Sequence, residues 1–374
     1  MLARTRIAVN TRLLLPNRLE GIGWFTYETL KRIVRNHPEC DFLFLFDRPF
    51  DSKYIFADNV KGVHLGPPAR HPVLYRIWFN YTIPFLLAKH NAELFLSPDG
   101  YLSLRTDVKQ IAVMHDLNFE HYPEDLPKVH RDYYRQYFPL FARKAERIIT
   151  VSEYSKQDIH EQYGVSTDHI DVAYNGVSEI FTPDEQDDHP FCDGKPYFLS
   201  VGSLHPRKNI ARLLEAFDLA CKRCDSDIQL LIVGESFYWS KDMKLAMDRM
   251  AHKDRVHFTG RMEQAGLKNA YSHALALAYV SYFEGFGIPL VEAMRCGCPV
   301  IAADATALPE IASDAAIYCD PFNTSDIAEK MICLATDEGK RIELREAGLK
   351  RSQQFSWDRT AAAVWNTIER TLNA

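Results

Sequence analysis

Short apolar runs bounded by turn residues punctuate the first half of the chain: RIAVN from Arg6, FLFLF from Phe42, ELFLS from Glu93, QIAVMH from Gln110, RIITVS from Arg147 and IDVAYNG from Ile170. Helical patterns lie between most of them, and this alternation predicts an α/β domain with a mostly parallel sheet. From Ser178 to Pro196 the periodicity stops, and SEIFTPDEQDDHPFCDGKP reads as a linker. The pattern then restarts with YFLSVG from Tyr197, IQLLIVG from Ile228, RVHFTG from Arg255, ALALAYV from Ala274, CPVIAA from Cys298 and AAIYCD from Ala315. A second parallel sheet is expected. The domain plan is therefore 1–185, 186–356 and a C-terminal helix over 357–374. Open α/β sheets bind ligands at the carboxyl ends of their strands, so two such sheets facing each other predict one shared cleft.

Composition agrees with two globular domains: of 374 residues, 47% are hydrophobic and 25% charged. The net charge of -6 supplies no global field to gather nucleic acid. No apolar run reaches the roughly 18 residues that span a bilayer. The eight cysteines follow no recognisable secretory signal, so reduced thiols in a cytoplasmic protein are expected. Cys221 and Cys224 form a lone CxxC with no second ligand pair at zinc spacing, and read as core-facing thiols one helical turn apart.

The most informative stretch is SYFEGFGIPLVEAMRCGCPVIA, Ser281 to Ala302, a strand, a glycine loop, a helix and another strand. Gly285 and Gly287 let the backbone approach a ligand, and Pro289 suits a first helical turn. Glu284 accepts hydrogen bonds only, as paired sugar hydroxyls require. Glu292 lies early in the helix, where the dipole favours its ionised form and a ribose diol fits. A second stretch, VGSLHPRKNIARLLEAF from Val201, sets Arg207 and Lys208 at a turn ahead of a helix, where two cations can neutralise a diphosphate and its leaving charge.

At these residues the chain resembles retaining glycosyltransferases of family four, whose GT-B fold has two facing Rossmann-like domains. The resemblance implies that Glu284, with the backbone of Phe286, Gly287 and Ile288, holds the donor sugar, and that Glu292 holds the nucleotide ribose. In the family an Arg often follows the strand-end glycine, here Gly202, with a Lys five positions later. Ser203 takes the first place and Lys208 the second, so Arg207 is expected to supply the missing guanidinium. His115, following the strand QIAVM, is expected near the donor sugar, with Asp116 fixing the local turn. Gly23, in the loop Gly21-Ile22-Gly23, is expected against the donor phosphates, although GIGWFT lacks the third glycine of a dinucleotide fingerprint. Arg147, Ser152 and Ser155 match a segment near the cleft, with Ser152 also suited to cap a helix. Arg261 and Met262 in FTGRM are candidates for the nucleotide base.

The expected enzyme is a metal-independent, retaining hexosyltransferase of the EC 2.4.1 type without a cofactor. Asp225-Ser226-Asp227 is the one DxD pattern, and Arg207 and Lys208 remove the need for a metal on the diphosphate. The PRKN variant favours GDP-mannose, with UDP- and dTDP-sugars as alternatives, and a glycan or lipid-linked glycan acceptor in surface polysaccharide biosynthesis. A nucleotide-sugar epimerase, a phosphorylase and a non-catalytic sensor are the readings of another class. The aromatic and basic stretch from Pro67 to Asn91 is compatible with peripheral contact at the inner face of a membrane, or with a core helix flanked by snorkelling bases.

Overall fold

In the computed structural model, which describes residues 4–16, 19–184, 190–224, 227–235 and 239–374, the chain divides into two units. One comprises Met1–Gly176 with Trp357–Ala374, the other Val177–Ser356. The first holds a seven-stranded parallel sheet of order β3-β2-β1-β4-β5-β6-β7. Its strands are β1 (Arg6–Asn10), β2 (Asp41–Phe46), β3 (Val60–His64), β4 (Leu94–Ser97), β5 (Lys109–Val113), β6 (Arg147–Thr150) and β7 (Ile170–Val172). The second holds six parallel strands, β10-β9-β8-β11-β12-β13. These are β8 (Tyr197–Val201), β9 (Gln229–Val233), β10 (Val256–Gly260), β11 (Ala276–Tyr279), β12 (Val300–Ala303) and β13 (Ile317–Cys319).

Ile7, Ala8 and Val9 of β1, and separately Leu230, Leu231 and Ile232 of β9, are buried because helices cover both faces of each sheet. Only β3 falls outside the apolar runs. It pairs with β2 alone at the sheet edge, and VKGVH leaves Lys61 and His64 exposed. An edge strand with solvated side chains has no continuous apolar signature.

The C-terminal helix Trp357–Asn373 packs on the helix Gly21–Asn36. It buries Trp357, Val364, Trp365 and Ile368, each worth about 2 kcal/mol. Trp365 stacks on His37 at 3.5 Å, and Arg32 pairs with Asp358 at 2.6 Å. Asp171 accepts from Arg147 at 2.8 and 3.0 Å, from Thr367 Oγ1 at 2.9 Å and pairs with Arg370 at 2.6 Å, so the helix is also clamped to the β6/β7 edge.

In the stretch 178–196, Phe181 is buried with its ring edge-on to Tyr271, and the Asp184 amide donates to Ser272 Oγ at 3.1 Å. The segment Pro67–Asn91 forms a nearly continuous helix, Pro72–Ile77, Trp78–Thr82 and Ile83–Lys89, with a π turn in the middle. Trp78 and Phe79 are fully buried, so the aromatic signal there is mostly core. Cys221 is buried in the helix Ile210–Arg223, while Cys224 is half-buried just past its end, and burial pushes the Cys221 thiol up to about 11. Among the described residues no helix is long and apolar enough to cross a membrane.

Candidate active site

β8 and β11 are hydrogen-bonded neighbours running the same way, so the loops at their carboxyl ends meet although Arg207 and Glu284 lie far apart in sequence. After β8 the chain turns through Gly202 (φ 145°) into the short turn Pro206–Lys208, then through Asn209 (φ 60°) into Ile210–Arg223. Asn209 is held there by donating to the carbonyls of Val280 at 3.1 Å and Pro321 at 2.7 Å. The Gly202 carbonyl passes so close to Gly234 that a Cβ on Gly234 would sit 1.8 Å from it. Glycine at 234 is therefore a packing requirement of the turn.

After β11 the loop brings the Glu284 carboxylate between the two cations. Arg207 Nη1 donates to Oε2 at 2.8 Å and Lys208 Nζ to Oε1 at 2.5 Å. Lys208 also donates to the Tyr279 hydroxyl at 2.6 Å, and Arg207 to the Phe283 carbonyl at 3.2 Å. Burial alone would raise the Glu284 pKa, but the charges of Arg207 and Lys208 outweigh it and hold the carboxyl at about 2. Its stabilising contribution is present above the ordinary carboxyl range and fades only as pH falls towards that value. The cluster holds two cations to one carboxylate, and the Arg207 side chain keeps 26% of its surface exposed. Two cations held on a fixed frame suit an anion with attached hydroxyls.

Gly287 (φ 91°) precedes the helix Ile288–Arg295, where Pro289 occupies the first turn. A Cβ on Gly287 would meet Leu308 at 2.8 Å, so shape and dihedral both require glycine. In this loop the positive φ is that of Gly287. Phe286 is buried edge-on to Phe355, which leaves its backbone as the part of it that can face a ligand.

Glu292 is less readily ionised than its place in the helix predicts. It sits beyond the first turn, where the helix dipole is weak, and burial pushes its carboxyl up to about 7 against the opposing hydrogen bond from the Tyr271 hydroxyl at 2.9 Å. Arg261 and Met262 follow β10 at the same sheet edge, and Ser203 is exposed in the turn after β8.

In the first unit His115 follows β5, and its Nε2 lies 2.8 Å from the Pro98 carbonyl. That contact requires an Nε2–H donor and leaves Nδ1 as the acceptor. Burial lowers the His115 pKa, so the ring is neutral at neutral pH. Phe25 meets it edge-on at 5.0 Å. Asp116 accepts from the Asn118 amide at 3.1 Å and fixes the turn.

Beside His115 stands a buried network that the sequence did not disclose. Asp99 Oδ2 accepts from Arg12 Nε at 2.6 Å, and Oδ1 from Asn10 Nδ2 at 2.8 Å and Ser97 Oγ at 3.1 Å. The Arg12 guanidinium lies over the Tyr101 ring at 4.5 Å and donates to the Ala69 carbonyl at 2.9 Å. Asn10 and Asp99 each follow or end an apolar run, which is the only available sequence signal; without the sheet order nothing joins them.

Two candidates change meaning. Gly21–Gly23 forms the first turn of the helix Gly21–Asn36 instead of a loop, and a Cβ on Gly23 would press on the Leu13 carbonyl and Leu19 at 3.2 Å. Glycine there admits the preceding chain. Arg147 opens β6, at the opposite sheet edge from His115, and its guanidinium is spent on Asp171 and the Asp168 carbonyl. Ser152 accepts from the Ser155 amide at 3.0 Å as the cap of Glu153–Tyr163. Asp225 and Ser226 of the DxD pattern lie outside the described residues. Among the described residues no group of three His, Cys, Asp or Glu side chains is placed to hold a metal.

Two Rossmann-like units, the second carrying paired cations clasped to a carboxylate beside a glycine-tight helix start, define a glycosyltransferase of the GT-B class. Residues 19–179 match the model of Glycosyltransferase Family 4 and residues 181–351 that of Glycosyl transferases group 1, and the chain belongs to this glycosyltransferase family. It is 27% identical over 377 residues to O-antigen chain mannosyltransferase B of Escherichia coli, covering 95% of this chain and 96% of that protein. Over 253 residues it is 32% identical to O-antigen chain mannosyltransferase RfbU of Salmonella typhimurium, covering 66% of this chain and 67% of that protein. Among solved structures, sucrose-phosphate synthase of Thermosynechococcus elongatus superposes with a TM-score of 0.76 at 20% identity, covering 98% of this chain and 99% of that one. HepE of Anabaena, in complex with UDP and glucose, gives 0.73 at 18% identity over 98% and 100% of the two chains.

Proposed function

We propose that the protein transfers mannose from GDP-mannose to a glycan or lipid-linked glycan acceptor in surface polysaccharide assembly, with retention of configuration and without a metal ion. The observation that carries this reading is the Arg207–Glu284–Lys208 cluster, with 2.8 and 2.5 Å contacts at the carboxyl ends of adjacent strands. The mannosyltransferase relatives support the choice of sugar.

In this reading Arg207 and Lys208 face the donor diphosphate. Their positive charges stabilise the phosphate oxygens as the glycosidic bond lengthens, the task a metal performs elsewhere. Glu284, kept ionised, orients the sugar hydroxyls, with the backbone of Phe286, Gly287 and Ile288 and the turn at Gly202 and Ser203 around it. Glu292, near its midpoint at neutrality, meets the ribose diol. Arg261 and Met262 border the base. Gly23 and His115 are assigned from the first unit, the neutral imidazole offering Nδ1 to a sugar hydroxyl. The departing phosphate takes the acceptor's proton, the acceptor oxygen bonds the anomeric carbon from the face the nucleotide leaves, and no enzyme nucleophile is required.

A thermal-shift panel of GDP, UDP and dTDP with and without chelator tests the donor. GDP at a hundred times its dissociation constant adds about 2.7 kcal/mol, with chelator making no difference. A shift with UDP or dTDP alone would reject GDP-mannose in favour of the corresponding sugar nucleotide.

A further inference from the structure

Among the described residues, no element covers one face of the helical segment Pro72–Lys89. Val73, Ile77, Tyr81 and Phe85 are 56, 39, 57 and 54% exposed, while Tyr75, Trp78, Phe79, Ile83, Leu86 and Leu87 on the other side fill the core. The four exposed residues recur every fourth position. In an α-helix of about 3.6 residues per turn such a series drifts around the axis, and the wider π turn at Trp78–Thr82 takes up part of that drift and keeps the stripe aligned. Large apolar side chains aligned in this way are seldom left to water in a monomer.

The stripe is bordered by cations. Arg70, Arg76, Lys89 and Arg105 are exposed around it, and no Asp or Glu occurs from Leu65 to Asn91 in a chain whose net charge is -6. Arg105 lies over the Tyr81 ring at 4.5 Å and Lys89 Nζ over the Phe85 ring at 5.7 Å, so the bases stand beside the apolar tips they flank. A second copy docking through this face by two-fold symmetry would set these bases against their own images. An anionic bilayer surface has the opposite charge and accepts aromatic and aliphatic tips at the level of its headgroups.

We infer that the face carrying Val73, Ile77, Tyr81 and Phe85, rimmed by Arg70, Arg76, Lys89 and Arg105, docks the protein on an anionic lipid surface. The docking deepens the lipid-linked acceptor reading by bringing the enzyme to the surface where such an acceptor resides. Its test measures binding without transfer, so either can fail alone.

The full chain is floated with vesicles of phosphatidylcholine alone and of equal parts phosphatidylcholine and phosphatidylglycerol. The parent partitions onto the anionic vesicles, more weakly at high salt. Tyr81→Ser/Phe85→Ser and Arg76→Glu/Lys89→Glu each lower partitioning about tenfold or more, while Lys253→Glu in the second unit does not. Because the changed side chains are exposed, melting temperatures stay near that of the parent. Absence of parent binding, or variants that bind as the parent does, overturns the inference. So does a parent dimer that Tyr81→Ser/Phe85→Ser converts to monomer, which would give the face to a second copy.

Discussion

Each unit buries an arginine–carboxylate contact at the carboxyl end of its parallel sheet, and the two are built to opposite ends. In the first, Arg12 and Asp99 meet one to one at 2.6 Å with side chains only 7 and 4% exposed, and Asn10 and Ser97 donate to the remaining carboxylate oxygen. In the second, one carboxylate is shared by two cations, and Arg207 remains partly open to water. A balanced, enclosed pair has no charge to offer a ligand and acts on shape: it holds the turn whose Pro98 carbonyl orients His115. A cluster of two cations on one carboxylate, open to water at Arg207, has donors that suit an incoming anion. In the proposed reading, neutral contacts fall to the first sheet edge and charge stabilisation to the second.

The largest effect that would break this contrast is on stability in the first unit. Asp99→Ala strands a buried guanidinium and should cost about 3–5 kcal/mol, read by urea unfolding. A loss similar to that of an exposed pair would show that Arg12 reaches water and that the network is no frame. In the second unit, Lys208→Ala removes one of the two cations that hold Glu284 ionised and should cost less stability than Asp99→Ala, because Arg207 still pairs the carboxylate, while lowering transfer about 100- to 1000-fold, some 3–4 kcal/mol of barrier, measured by donor turnover. A fall in stability without a fall in rate would make this cluster structural as well.

Glu292 sharpens the comparison in a smaller way. With its carboxyl raised to about 7 by burial, it favours folding most where it is protonated, below its ordinary value of 4.5, and that contribution is lost as pH rises through about 7. Parent stability should therefore decline by up to about 3 kcal/mol from about pH 5 to about pH 8, and Glu292→Gln should flatten that slope. Equal slopes would mean that Glu292 titrates like a solvated acid.

Apolar runs separated by helical patterns marked every strand except β3, whose edge position removes the need for a continuous apolar sequence. The residues of the second-unit cluster were legible too, because a strand-end turn leaves its mark locally: PRKN at one, EGFGIP at the other, with Gly287 forced by its positive φ. Their direct clasp was not legible, nor was the Arg12–Asp99 network. Asn10, Arg12 and Asp99 meet because β1 and β4 pair although helices and the strands β2 and β3 lie between them in sequence.

Composition and periodicity, then, determined two parallel α/β units and the loops where chemistry gathers, because covered strands and tight turns impose local rules on residue type. Tertiary structure decided what those residues became. It turned Gly21–Gly23 into a helical turn, tied Arg147 to Asp171 and raised the Glu292 carboxyl to about 7. Hydrogen-bond partners, burial and the resulting protonation are set by neighbours brought from distant parts of the chain, and no local pattern encodes them.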